Sequence, residues 1–371
     1  MNNTNWYTAT NAAQLISPSL LVYPDRIREN IKTMIKIAGG TQRLRPHVKT
    51  HKMAEIIQMQ LDQGISKFKC ATIAEAELLG KCGAKDVLLA MQPVGPDIER
   101  FFTLVKTFPS VTFSTLADTP QTVQDISKMA ASKNTVVGLW VDINNGMDRS
   151  GILPDSGAKE LYMMVNANPH LQIRGLHVYD GHIREPDFSL RKQHSDEAFQ
   201  QVTKLIGEIE GEEGVGAVNI LAGGSPSFPV HAQRKNVELG PGTALLWDAR
   251  YGGDFPDMPF LPAAVLLSRI ISKPNKNILC LDLGHKSLAP EMPLPRVQFL
   301  NLKNTSQIGQ SEEHLVVSCE QANDYRIGDI IYAIPMHICP TVAKYGHVTT
   351  IIDGEATGTW SVAARNQKIT I

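Results

Sequence analysis

Leu44-Arg45-Pro46-His47-Val48-Lys49-Thr50-His51-Lys52 is strongly basic and closely follows Gly39-Gly40, which ends a helical pattern. Pro46 biases the residue before it towards extended backbone. The spacing therefore predicts a short strand over 45–49, with Lys49 near its C-terminal end. Neighbouring cations and partial burial would disfavour the ammonium form of a lysine held there. Only a neutral amine attacks a carbonyl, so such a lysine suits Schiff-base chemistry. A solvated basic patch explains the same residues equally well from this stretch alone.

Upstream, residues 19–23 read as a short strand. Residues 25–38 read as a helix, with Ile27, Ile31, Met34 and Ile35 at helical spacing. Downstream, apolar runs recur at 67–71, 86–91, 111–114, 135–143, 171–179, 218–221 and 244–247. Thr72 and Glu75 form a capping-box pattern, and Thr119-Pro120 an N-cap with a first-turn proline. With 45–49 the runs number eight, mostly separated by helical patterns. That alternation predicts an α/β fold, a parallel (β/α)8 barrel over 25–258. From about Pro259 helical patterns largely stop and β-rich runs follow at 263–271, 277–283, 297–300, 314–319, 329–334 and 349–353. Residues 259–371 therefore read as a second, mostly antiparallel β domain, joined by 1–24.

Polar residues cluster just after the barrel runs. Leu221-Ala222-Gly223-Gly224-Ser225-Pro226-Ser227 and Gly240-Pro241-Gly242-Thr243 are glycine turns whose N–H groups and hydroxyls could meet an anion. Phosphate sites in barrels often use the loops of the last two strands. Either turn alone could be an ordinary loop, and neither matches a P-loop. Asp142-Ile143-Asn144-Asn145-Gly146-Met147-Asp148-Arg149-Ser150-Gly151 ends another run. Gly175-Leu176-His177-Val178-Tyr179-Asp180-Gly181-His182 ends the next, with His177 and Tyr179 on one side of the strand by period-two alternation. In the second domain, His337 and Cys339 are two apart in a segment read as extended, and so point the same way. Imidazole and thiolate suit zinc. Two ligands leave room for water or substrate, although spacing alone equally fits a buried cysteine beside an ordinary histidine.

Arg45-Pro46-His47-Val48-Lys49-Thr50-His51-Lys52 resembles the lysine motif of the D-threonine aldolase and D-serine dehydratase family, pyridoxal-phosphate enzymes of fold type III related to alanine racemase. The resemblance runs from there to the His337–Cys339 pair. It implies an alanine racemase-like barrel with a C-terminal β domain, and a homodimer. Lys49 would carry pyridoxal 5'-phosphate. Gly224, Ser225, Gly242 and Thr243 would hold its phosphate, and Tyr179 would lie against its ring. Gly146-Met147-Asp148-Arg149 is similar to a family signature whose arginine lies near the cofactor or substrate. His182 would be a substrate-side group, with His177 and His314 weaker candidates. His337 and Cys339 would bind a divalent metal, zinc ahead of manganese or magnesium. The implied reaction is lysis of a D-β-hydroxy-α-amino acid, by aldol cleavage or by dehydration. A racemase on the same fold would need a second base and no metal. A non-catalytic cofactor carrier would have no use for residues 259–371.

Composition agrees with a small-molecule enzyme. The 371 residues are 43% hydrophobic and 20% charged, with net charge −1, so nothing points to nucleic acid or an anionic membrane. No apolar run approaches the roughly 20 residues of a membrane helix. The N-terminal stretch lacks the pattern of a signal peptide. Cys70, Cys82, Cys280, Cys319 and Cys339 are odd in number and scattered, which argues for a reducing, cytoplasmic setting.

Overall fold

The computed structural model describes residues 5–371. Residues 1–4, part of the segment assigned above to the β domain and of the stretch tested for a signal peptide, lie outside the described residues. The chain divides into two units. One comprises residues 34–49, 56–242 and 366–371; the other comprises 5–33, 50–55 and 243–365. The chain enters through β1 (Ser19–Val22) and α1 (Pro24–Ala38).

After α2 (Ala54–Leu61), strands and helices alternate: β2 (Lys67–Cys70), α3 (Ile73–Lys81), β3 (Asp86–Leu89), α4 (Pro96–Thr107), β4 (Thr112–Ala117), α5 (Pro120–Ser132), β5 (Val137–Ile143), α6 (Ser156–Asn166), β6 (Leu171–Val178), α7 (Phe188–Glu210), β7 (Ile220–Ala222), α8 (Phe228–Ala232) and β8 (Val237–Leu239). The seven strands β2 to β8 pair in chain order, all parallel. Thr72 caps α3 by accepting from the Glu75 N–H, and Thr119 caps α5 with Pro120 in its first turn.

The stretch around Lys49 closes this sheet without being a strand. Leu44 bridges Leu239 of β8, and His47 bridges Lys69 of β2. Arg45 N–H donates to Leu239 O, Val48 N–H to Lys69 O, and Lys69 N–H to Pro46 O, each at 2.9 Å. Residues 44–48 thus take the eighth position of the ring. Pro46 has no N–H to give, so no continuous ladder forms, and the chain turns at 48–51. Lys49 therefore sits on a turn, not at the end of a strand as the spacing had suggested. The eighth run is also corrected. Residues 244–247 enter a 3-10 turn, Thr243–Leu245, and the last barrel strand is Val237–Leu239. That strand is three residues long and is interrupted by Glu238, which hides it from an apolar-run reading.

Glu238 is inward because the barrel floor is ionic. Arg45, 1% exposed, donates through Nη1 and Nη2 to Asp86 at 2.7 and 3.1 Å and through Nε to Glu238 at 2.7 Å. Arg174 reaches Asp86 at 2.8 Å, and Lys67 pairs with Glu238. Burial pushes the Asp86 carboxyl up, but Arg45, Arg174 and Lys67 outweigh it, leaving it below the usual carboxylate range. Above this floor Leu88, Leu116, Trp140 and Leu221 pack as an apolar layer. Gly175 is required where β6 shifts register against β5. Its φ is +134°, and a Cβ there would lie 2.1 Å from Asn219 O. That shift sets His177 opposite Asp142.

The other unit is built on a largely antiparallel sheet. After α9 (Ala249–Asp254) come β9 (Ala264–Asn275), β10 (Ile278–Leu281), β11 (Val297–Phe299), β12 (Thr305–Gln310), β13 (Leu315–Cys319), β14 (Ile330–Pro335), α10 (Ile338–Val342), β15 (His347–Ile352) and β16 (Glu355–Ser361). Strand order is β12-β13-β10-β9-β1-β15-β16, with β14 joining β9 and β11. β1 joins this sheet as expected, antiparallel to β9 and parallel to β15. Its core packs Tyr7, Leu21, Tyr23, Val265, Leu267, Tyr332 and Ile351. β12 and β16 carry no long apolar run and went unread in the sequence. Among the described residues no helix is long and apolar enough to cross a membrane, and none of the five cysteines forms a disulfide.

Candidate active site

The barrel unit gathers its polar residues at the strand ends around one ring, that of Tyr179. Lys49 Nζ lies 5.8 Å from the ring centroid, Lys69 Nζ 5.6 Å, and the Arg149 guanidinium carbon 4.8 Å. Lys49 and Tyr179 are half-buried, Arg149 is exposed and Lys69 is buried. Three cations within 6 Å of one aromatic ring is cation–π geometry, and it concentrates positive charge.

Sequence reasoning passed over Lys69, though a signal was there. In Lys67-Phe68-Lys69-Cys70 the period-two alternation puts both lysines on the side opposite Phe68 and Cys70. Burial drives the Lys69 ammonium down to about 7, and the Lys49 charge adds to this against the attraction of Asp142 and Asp180.

Two carboxylates stand behind the ring, each tied up. Asp142 Oδ1 and His177 Nδ1 are 2.6 Å apart, and Ser150 Oγ donates to Asp142 Oδ2 at 3.0 Å. Burial pushes Asp142 up, but His177, Ser150 and Arg149 hold it below the usual range; burial also lowers His177. A neutral imidazole donating to a charged carboxylate satisfies both shifts. Asp180, 1% exposed, accepts from Ser227 Oγ at 2.5 Å and meets His231 Nε2 at 2.7 Å. Burial raises it, but His231 and Ser227 pull it below the usual range. Asp180, Ser227 and His231 lock the chain on both sides of the first glycine turn, and no sequence pattern announced that network.

The glycine turns press on these groups. A Cβ on Gly224 would lie 2.9 Å from the Tyr179 ring, one on Gly242 3.0 Å from His47 O, and one on Gly240 2.6 Å from Lys69 Nζ. Gly224 N–H donates to Ser227 Oγ at 3.3 Å and Gly242 N–H to Ser225 Oγ at 3.1 Å, which joins the two turns. Those two N–H groups, expected to face an anion, are thus turned onto serines. His182 is exposed and lies against Gly146, where a Cβ would come within 3.3 Å of its Nε2.

The β unit carries a separate cluster. His337 has extended backbone as the N-cap of α10, and Cys339 lies inside that helix. The pair is therefore not on one extended segment, yet the side chains still hydrogen-bond. Cys339 Sγ also lies 3.1 Å from Thr50 Oγ1 and 3.4 Å from Thr243 Oγ1. His337 Nδ1 is 2.6 Å from Glu291 Oε1. Burial pushes the Cys339 thiol up, but hydrogen bonds from His337, Thr243 and Thr50 bring it below its ordinary value. Burial lowers His337, yet Cys339, Glu291 and Asp248 raise it to about 8. Each group thus favours the charged form of the other, thiolate at Cys339 and imidazolium at His337. Among the described residues no group of three or more His, Cys, Asp or Glu gathers as a metal cage. Thr243, expected on a phosphate, has its hydroxyl at Cys339. His314 is exposed, in the turn closed by Ser311 N–H and His314 O.

The chain is similar to known proteins along most of its length. Residues 22–246 match the family model for the alanine racemase N-terminal domain, and residues 263–351 that for a putative serine dehydratase domain. The chain is 27% identical to 3-hydroxy-D-aspartate aldolase of Paracoccus denitrificans (strain Pd 1222), covering 96% of this chain and 93% of that one. It is 25% identical to D-threonine aldolase of an Arthrobacter species, covering 95% and 93%. The crystal structure of D-threonine aldolase from Filomicrobium marinum superposes with a TM-score of 0.87 at 25% identity, covering 95% and 96%.

Proposed function

This chain belongs to the alanine racemase N-terminal-domain family, and on that premise we propose that it is a pyridoxal-phosphate-dependent lyase of D-β-hydroxy-α-amino acids. The observation that carries the reading is the convergence of Lys49, Lys69 and Arg149 on the Tyr179 ring. Asp142 and Asp180 are already committed to other partners, so the pocket has positive charge to offer an anion. Gly224, Gly240 and Gly242 let the two turns approach the Tyr179 ring, Lys69 and His47 more closely than any residue with a Cβ could. An anionic planar ring with a phosphate fits these residues.

Bound there, the cofactor supplies an electron sink for a carbanion at the substrate Cα. Lys49 would hold it covalently and yield that place to the substrate amine. Tyr179 offers a flat face to its ring, and Arg149 offers charge-assisted hydrogen bonds to an anionic oxygen. Ser225 and the joined glycine turns would border its phosphate. Asp142 and Asp180, held by His177 and His231, keep the strand ends rigid beneath Tyr179. In the β unit, His337 and Cys339 would hold one divalent cation, a Lewis acid suited to a β-hydroxyl. His182 would act on the substrate side.

Aldol cleavage is the first reading, supported by full-length similarity to two aldolases. The Cα–Cβ bond breaks as the β-hydroxyl loses its proton, giving an aldehyde and glycine. Dehydration is the second reading, supported by Cys339. A thiolate favours zinc over harder ions, and zinc aids departure of a hydroxyl group. There the Lys49 amine would take the Cα proton. Protein loaded with zinc or manganese is incubated with D-threonine and D-serine. Glycine and acetaldehyde from D-threonine establish the aldolase; pyruvate from D-serine with zinc establishes the dehydratase. Racemised amino acid without either product would overturn the lyase reading.

Arg149→Ala and Tyr179→Ala are each expected to weaken cofactor retention by about tenfold, one charge-assisted bond or ring contact. Dissociation of cofactor from the folded variants measures this. Wild-type retention and wild-type turnover in both would remove these residues from the site.

A further inference from the structure

The loop between β10 and β11 carries Glu291, a residue that no sequence pattern singled out. That loop is tied to the His337 segment on both sides of Glu291. Ala289 N–H donates to Thr341 Oγ1 at 3.3 Å, and the same hydroxyl donates to His337 O at 2.8 Å. Further along, Met336 N–H donates to Arg296 O at 2.8 Å, and Arg296 Nε to Met292 O at 3.0 Å. Asp248 Oδ2 accepts from Ile338 N–H at 3.1 Å. The backbone around His337 is therefore fixed, and so is the loop that brings Glu291 to its ring.

Glu291 Oε1 lies 2.6 Å from His337 Nδ1. A charged carboxylate accepts and has no proton to give, so Nδ1 is the ring nitrogen that carries hydrogen. Nε2, at the other edge of the ring, then keeps its lone pair for a cation. The His337 and Glu291 side chains are 40% and 43% exposed, and an exposed ion pair adds little to folding stability. Its effect falls instead on the choice of nitrogen. Glu291 sits at the wrong edge of the ring to share a cation with Nε2. In keeping with this, no group of three or more His, Cys, Asp or Glu gathers among the described residues.

We propose that Glu291 is the positioning residue of the His337–Cys339 pair: it holds the hydrogen on Nδ1 and presents Nε2 to the cation. The proposal rests on the reading of that pair as the divalent-metal site. A carboxylate behind a ligating histidine fixes the tautomer and the ring orientation and makes the imidazole a stronger ligand. Losing it costs about 10- to 100-fold in metal affinity.

The test uses the full chain loaded with pyridoxal phosphate and stripped of metal by a chelator. Zinc affinity is measured by competition with a chromogenic chelator in wild type, Glu291→Ala, Glu291→Gln and Cys339→Ala. Glu291→Ala is expected to bind zinc about tenfold weaker than wild type, or weaker still. Glu291→Gln, whose amide oxygen still accepts from Nδ1–H, is expected to lose less. A structural role alone would lower the melting temperature of the metal-free protein and leave zinc affinity in place. Equal affinity in wild type and Glu291→Ala would overturn the proposal and leave the metal pair standing. So would a loss in Glu291→Gln as large as in Glu291→Ala, or a zinc-loaded crystal structure with the cation on Nδ1 or on Glu291. Wild-type affinity no tighter than that of Cys339→Ala would overturn the metal pair itself, and the positioning role with it.

Discussion

Lys49→Ala loses lyase activity by roughly 10⁴-fold or more, the scale seen when a covalent catalytic residue is removed. It also loses the lysine-bound cofactor absorbance and the borohydride-trapped adduct on the 44–52 peptide. The reason is local. Residues 44–48 are fixed on both sides, by Leu239 of β8 and Lys69 of β2. Lys49 is the first residue past that clamp, and its Nζ is 5.8 Å from the Tyr179 ring centroid. The second amine there, Lys69, is rooted in β2 beneath the Gly240 turn. Retained turnover with an adduct mapped to Lys69 or another lysine would end the assignment.

His337→Ala and Cys339→Ala are expected to lower turnover by about a thousandfold, the several kcal/mol a Lewis acid supplies at 1.4 kcal/mol per tenfold. Both should keep the Lys49-bound cofactor absorbance, which separates them from Lys49→Ala. Stripping divalent metal from the wild type with a chelator should have the same effect, reversed by adding zinc back. Affinity should fall at acid pH, because the ligands bind deprotonated. Cys339 lies below its ordinary value and so favours binding, whereas His337 is raised to about 8 and must release a proton first. Full activity after stripping, in protein shown by elemental analysis to be metal-free, would remove the pair from the mechanism.

The alternation of apolar runs and helical patterns was legible in the sequence because hydrophobic periodicity reports which faces are buried. The caps at Thr72 and Thr119 were legible for the same local reason, and so was the shift to β-rich texture beyond Pro259. Two errors share one cause. Residues 45–49 and 244–247 look like strands by composition, but strand pairing depends on where the partner's N–H and C=O groups fall. Pro46 breaks the ladder, and Gly240-Pro241-Gly242 ends the barrel at Leu239.

By itself the sequence determined the candidates for the chemistry: a lysine three residues after Pro46, glycine turns late in the barrel, an arginine after β5, and a histidine–cysteine pair near the C-terminus. Tertiary structure alone decided which of them meet. Tyr179 became the shared ring of Lys49, Arg149 and the unforeseen Lys69. Thr243 went to Cys339, and His182 to Gly146. Asp180, His231 and Ser227 formed a buried network from residues up to 51 positions apart. Such encounters depend on strand register and barrel closure, which bring distant residues within hydrogen-bond reach, and no local pattern encodes that distance.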